Sequence, residues 1–130
     1  MIGAQNTYST LPCESVVALQ GASRDIYGFT AFPLDAPPAV AGIFIFARPA
    51  DDARRDTLYW TPLYVGEAGD MADTVPGLRD VAAHARKLGA THLLVHFCSR
   101  GEAARAEKAR DLSEAFRPSL NRLDRAADAA

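Results

Sequence analysis

Histidine and cysteine side chains are the first candidates for chemistry in this sequence, because three of them stand close together in it. His92 and His96 are four residues apart in a short apolar stretch, and Cys98 follows. Residues at even spacing point to one face of a β-strand, so a zinc ion could be imagined between them. No fourth ligand is evident, and histidines on a half-buried strand are more often packed or hydrogen-bonded. We favour that second interpretation.

Phosphate binding is the next candidate chemistry, because the stretch from Arg79 to Arg110 holds seven Lys and Arg residues against three acids. A local basic surface of this kind can contact a phosphate backbone. The formal net charge of the whole chain is -2, which argues against a generally basic nucleic-acid-binding protein. An ordinary solvated pair of helices would have the same composition, so both interpretations stay open. The candidate nucleic-acid contacts are His84, Arg86, Arg105 and Lys108.

Two apolar stretches predict the elements around which the chain is organised. Gly42–Ala47 and Leu58–Gly66 are typical of β-strands, and the polar connection Arg48–Thr57 predicts an antiparallel hairpin. Apolar periodicity and capping residues predict the rest. The remaining predicted elements are strands at Glu14–Gln20, Ile26–Phe32 and Thr91–Cys98, a helix from Asp73 or Thr74 to Gly89, and a helix that opens with a capping box at Ser99–Glu102 and ends at Pro118.

The order of these elements and three short motifs resemble the GIY-YIG nuclease superfamily. Gly42-Ile43-Phe44 and Tyr64-Val65-Gly66 are similar to its paired signature, and Pro118-Ser119-Leu120-Asn121 is similar to its closing Pro-x-x-Asn. The resemblance covers residues 40–123. It implies an α/β domain (an α+β sandwich) with a small, mostly antiparallel mixed sheet and two principal helices. Residues 1–39 would add an N-terminal β-hairpin to that sheet, and residues 124–130 a charged tail.

The resemblance also implies an endonuclease that hydrolyses DNA phosphodiesters with Mg²⁺ or Mn²⁺. In that family a cation held by a glutamate stabilises the phosphorane charge, and an arginine grips phosphate oxygens. Carried over by motif, the catalytic residues would be Tyr64, Arg79 and Asn121. The sequence departs from the family at two positions, since Phe44 replaces a tyrosine and Ala109 replaces the metal-binding glutamate.

Three of these positions have an open alternative. Arg79 lies later than the family's arginine, so either the preceding loop has an insertion or Arg79 is a surface residue. Asn121 could equally be a capping or turn asparagine. Glu67, beside the second motif, is a weak candidate for the missing metal ligand.

We therefore expect a GIY-YIG-like nuclease domain that acts on DNA and is catalytically impaired by the changes at Phe44 and Ala109. The alternative is a catalytically inactive module that binds nucleic acid or protein. No apolar run approaches the roughly 20 residues that a membrane helix needs, and residues 1–12 lack the features of a signal peptide. Cys13 and Cys98 make no disulfide framework, so we expect reduced thiols and a cytoplasmic protein.

Overall fold

Five strands rich in β-branched and aromatic residues form one sheet in the computed structural model, which describes residues 16–52 and 57–121. The spatial order is β1-β2-β5-β3-β4, and every neighbouring pair of these strands is antiparallel. The expected α/β fold is confirmed, as is the N-terminal hairpin that joins the sheet. The strands are β1 (Val16–Gln20), β2 (Ile26–Pro33), β3 (Gly42–Asp52), β4 (Thr57–Ala68) and β5 (His92–Phe97).

The central hairpin is longer than its apolar stretches. The predicted loop Arg48–Thr57 is largely strand, because pairing continues from Arg48 opposite Thr61 to Asp52 opposite Thr57. An antiparallel ladder satisfies backbone N–H and C=O groups whatever side chains flank it, so a polar sequence does not end it. Residues 53–56 lie outside the described part of the chain.

Two principal helices flank the sheet, as expected. A short helix α1 (Met71–Thr74) and one 3-10 turn (Val75–Gly77) precede α2 (Arg79–Lys87), and α3 (Glu102–Phe116) follows β5. The Asp70 carboxylate caps α1 by accepting from the Ala72 N–H at 3.1 Å, so the helical region begins earlier than Asp73 or Thr74. The expected capping box is wrong, since Gly101 is the N-cap of α3 and no side chain caps that helix. None of the helices in the described residues is long and apolar enough to cross a membrane.

The alternation of β3 side chains divides the core into two halves. Ile43 and Ile45 point to one side, where Leu112 of α3 covers them, and we call this side the α3 face. Phe44 and Phe46 point to the other side, where Ala85 of α2 is buried with them, and we call this side the α2 face. Because both faces are covered, β3 is apolar on both sides.

Candidate functional site

Tyr64 and Phe44, the aromatic residues of the two signature motifs, belong to the core of the α2 face. Tyr64 is 7% exposed, and its ring centroid lies 5.8 Å from that of Phe46 and 6.3 Å from that of Phe44. The Phe44 ring lies directly over Gly66, where an added Cβ would come 2.5 Å from the Phe44 Cζ atom. The glycine of the second motif is therefore required for this close packing.

Asn121 is bound to the main chain of strand β4 at two points. Its Oδ1 atom accepts from the Val65 N–H at 2.7 Å, and its Nδ2 atom donates to the Val65 carbonyl at 2.8 Å. The strand β4 is the last one of the described sheet, so the amide occupies the place of a neighbouring strand. The Asn121 N–H closes a turn onto the Pro118 carbonyl at 3.2 Å, and Leu120 is buried in the α2-face core. This geometry is that of a structural asparagine.

Arg79 is exposed at the start of α2 and borders two grooves. Neither groove is lined by Tyr64 or Asn121. The three residues carried over as catalytic therefore differ in setting: one lies in the core, one is bound to a strand edge, and one is exposed to solvent.

The two positions considered for a metal ligand lie on the α3 face, across the sheet from Tyr64. Ala109 packs against the α3-face core. The Glu67 Oε1 atom accepts from the Arg105 Nε–H at 2.8 Å, and these side chains are only 28% and 13% exposed. A glutamate at position 109 and a tyrosine at position 44 would thus be separated by the sheet.

Magnesium and manganese ions prefer several carboxylate, carbonyl or water oxygens. The described side chains of the core cluster that contains Tyr64 are aromatic and aliphatic, and such side chains offer no ligand to either ion. Across residues 16–52 and 57–121, no group of three His, Cys, Asp or Glu side chains could hold a metal ion.

The histidines of β5 are packed and hydrogen-bonded separately. The His96 Nδ1 atom lies 2.9 Å from the Gly28 carbonyl, so it must donate, and Nε2 then accepts from the Lys108 ammonium at 3.1 Å. The pKa of His96 is lowered, mainly by burial and also by the Lys108 charge. The hydrogen bond to the Gly28 carbonyl raises it, but by less. His92 instead packs edge-on against Trp60, with ring centroids 5.1 Å apart, and burial lowers its pKa as well.

Sequence reasoning missed a polar cluster that joins α3 to the turn between β1 and β2. The Asp111 carboxylate accepts from the Ser23 N–H at 2.8 Å, from the Ser23 hydroxyl at 2.7 Å and from the Tyr27 hydroxyl at 2.7 Å. Burial, followed by the bond to Asp111 and its charge, raises the pKa of Tyr27 to about 12. Burial acts upward on the pKa of Asp111 too, but the donated hydrogen bonds outweigh it and lower that pKa. Ser23 and Asp111 are 88 residues apart, so no local motif could have revealed the cluster.

The four candidate nucleic-acid contacts do not share one surface. His84 and Arg86 lie on α2, whereas Arg105 and Lys108 lie on α3 at the other side of the sheet. Arg105 is engaged with Glu67 and Lys108 with His96. The predicted basic stretch is therefore divided into two separate regions.

Arg79 and Arg86 are two exposed arginines that lie on one side of α2. Within the described ranges 16–52 and 57–121, the only ion pair is that of Arg105 with Glu67, so neither arginine has a carboxylate partner there. Both border a groove of about 380 Å³, which we call the α2 groove. It is lined by Leu34, Pro37, Val75, Pro76 and Ala82, with Asp35 beside them.

No family model, no curated protein and no solved structure matches this chain. The resemblance to the GIY-YIG superfamily stays a prediction.

Proposed function

We propose that this chain is a divergent, cytoplasmic GIY-YIG-type domain that binds DNA through α2 and lacks the metal-dependent hydrolysis of an active nuclease. The observation that carries the proposal is the pair of exposed arginines, Arg79 and Arg86, which have no carboxylate partner among the described residues.

The spacing of these arginines suits a repeated anionic ligand. Seven residues are close to two helical turns, so Arg79 and Arg86 lie on one side of α2, about 10 Å apart along its axis. A guanidinium group that is not engaged by a carboxylate keeps its planar set of donors for phosphate oxygens. With a net charge of -2 for the whole chain, binding depends on this local surface.

The packing and hydrogen bonding of the residues at the family's catalytic positions support the loss of strong hydrolysis. Tyr64 and Phe44 fill the α2-face core, Asn121 holds the edge of β4, and Ala109 packs on the opposite face. Removal of one electrostatic element from a hydrolytic site typically costs about 10²–10³ in rate. With alanine at the family's metal-ligand position, and with Tyr64 and Arg79 in separate settings, DNA binding without strong hydrolysis is the activity that we propose.

The binding proposal is tested by fluorescence anisotropy of labelled DNA at several salt concentrations. The double variant Arg79→Glu/Arg86→Glu should bind more weakly, and the slope of log affinity against log salt should flatten by about 0.9 for each duplex phosphate that the variant no longer neutralises. The matched control is Arg100→Glu/Arg110→Glu, which reverses two exposed arginines that border a groove beside α3. Equal weakening in both variants would show that binding is not located on α2. No DNA binding by the native chain would favour the protein-binding alternative.

Hydrolysis is tested separately on supercoiled plasmid with Mg²⁺ or Mn²⁺. We expect no more nicking than from Arg79→Ala, a variant that removes the one carried-over catalytic residue exposed to solvent. Metal-dependent nicking by the native chain that disappears in Arg79→Ala would establish the nuclease hypothesis instead.

A further inference from the structure

We infer that the α2 groove takes one unpaired nucleotide, so that the ligand of this face is single-stranded DNA and not a duplex. The inference rests on the proposed function and adds the class of DNA to it.

The groove is already formed in the folded chain. Its first wall, with Leu34 and Pro37, belongs to a connection in which Pro33, Pro37 and Pro38 restrict the backbone. Backbone bonds hold that connection in place, from the Ala36 N–H to the Pro33 carbonyl at 3.1 Å and from the Met71 N–H to the Val40 carbonyl at 2.9 Å. A rigid site loses little entropy when it binds a ligand.

The second wall presents apolar surface directly beside the two cations. Pro76 is exposed and Pro37 and Ala82 are half-buried, so these three side chains offer the apolar surface of the groove. Leu34 and Val75, only 7% and 6% exposed, add little to it. Ala82 lies between Arg79 and Arg86 along α2. A ligand that fits must therefore carry an apolar, flat or compact group and an anion close to it. An inorganic phosphate would leave the walls in contact with water, and an apolar peptide would leave the arginines unused.

An unpaired nucleotide has both parts. Its base exposes flat faces that pack against apolar side chains, and its phosphates meet the guanidinium groups. In a duplex those faces are stacked and inaccessible. The volume of about 380 Å³ lies within the range of about 300–1,000 Å³ for small-ligand sites. The Asp35 carboxylate on the first wall repels phosphate, which directs the DNA backbone toward Arg79 and Arg86 and the base toward the apolar walls.

The test compares two substitutions that are one residue apart. Ala82→Gln fills the groove, and the control Ala83→Gln places the same side chain on an exposed position that does not line it. Both variants keep the arginines and the net charge. The probe is a labelled 12-nucleotide single strand, compared with a hairpin duplex of the same composition. We expect the single strand to bind more tightly, and Ala82→Gln to weaken its binding about tenfold, a loss of about 1.4 kcal/mol, because the glutamine side chain occupies the space of the base. Ala83→Gln should leave the affinity unchanged.

A measurement on the native chain keeps the test decisive if Ala82→Gln does not fold. Backbone amide NMR signals of Val75 and Ala82 should shift with the single strand, and less with the hairpin. The expected shifts support the inference; their absence in a chain that binds the strand overturns it.

The remaining outcomes separate the two proposals. If the duplex binds as tightly as the single strand and both glutamine variants bind like the native chain, the nucleotide inference falls while DNA binding through α2 stands. If neither DNA binds, both fall. If deoxycytidine monophosphate alone binds as tightly as the strand, the groove is a site for free nucleotides and the inference is overturned.

Discussion

Replacement of Asn121 by alanine tests its structural role at the edge of β4. The substitution removes two hydrogen bonds to Val65, each worth about 1 kcal/mol net. Because β4 is an edge strand, water can rehydrate the Val65 N–H and carbonyl, so the net loss should be roughly 1–2 kcal/mol of unfolding free energy. Asn121→Asp should lose at least as much, since it places a carboxylate oxygen opposite the Val65 carbonyl that now accepts from Nδ2.

The assay is urea denaturation with amide exchange at Val65. For a chain of this length, 1 kcal/mol corresponds to about 4 °C in Tm, so Asn121→Ala should also melt several degrees lower. Exchange of the Val65 N–H should accelerate in the variant, because Asn121 is its acceptor. Ser119→Ala, on an exposed position in the same turn, is the control and should change neither. An unchanged urea midpoint with unchanged Val65 exchange would refute the structural role.

Side chains elsewhere in the sheet give three more expected outcomes. The free energy of unfolding should fall as the pH drops below about 6.5, because burial lowers the pKa of His96 from that value and the unfolded chain then binds a proton that the fold excludes. Urea midpoints at several pH values measure this dependence, and His96→Gln should reduce it. Gly66→Ala should cost about 1–3 kcal/mol, since its Cβ would lie 2.5 Å from the Phe44 ring; a native-like Tm would contradict that packing. Glu67→Gln should lower the free energy of unfolding by about 1–2 kcal/mol, because the Arg105 charge loses its partner, and by the same amount with and without Mn²⁺. A destabilisation confined to Mn²⁺-containing buffer would instead identify Glu67 as a metal ligand.

The central strands were predictable because their signal is local. A run of β-branched and aromatic residues at 43–46 predicts a strand buried on both sides, and β3 is such a strand. The end of that strand was not predictable from polarity, because pairing with β4 continues through Arg48 and beyond. The start of the predicted helix was misplaced too. Asp70 caps the separate short helix α1, and α2 begins at Arg79 with no side-chain cap, so residue type alone located neither start.

The candidate site was less predictable, because its residues come from distant parts of the chain. Spacing along a motif identifies Asn121 but not its partner, the Val65 main chain 56 residues earlier. Whether positions 44 and 109 face each other depends on which side of the sheet each helix covers. Strand alternation fixes the relation of Phe44 to Ile45, yet it does not tell which of them α3 will cover.

The distribution of satisfied charges indicates why ligand binding is expected on α2 and not on α3. Three polar groups of α3 are engaged within the fold: Arg105 with Glu67, Lys108 with His96, and Asp111 with Ser23 and Tyr27. Arg100 and Arg110 are exposed, but the groove that they border is also lined by four carboxylates that oppose an anion, those of Asp25, Glu107, Asp111 and Glu114. A phosphate that approached Arg105 or Lys108 would have to displace these partners, and the Asp111 carboxylate nearby would oppose it. Arg79 and Arg86 lack such partners among the described residues, so a phosphate there gains hydrogen bonds without breaking any within that part of the chain. The engaged cations of α3 and the carboxylates beside them disfavour an anionic ligand there, whereas α2 is available for one.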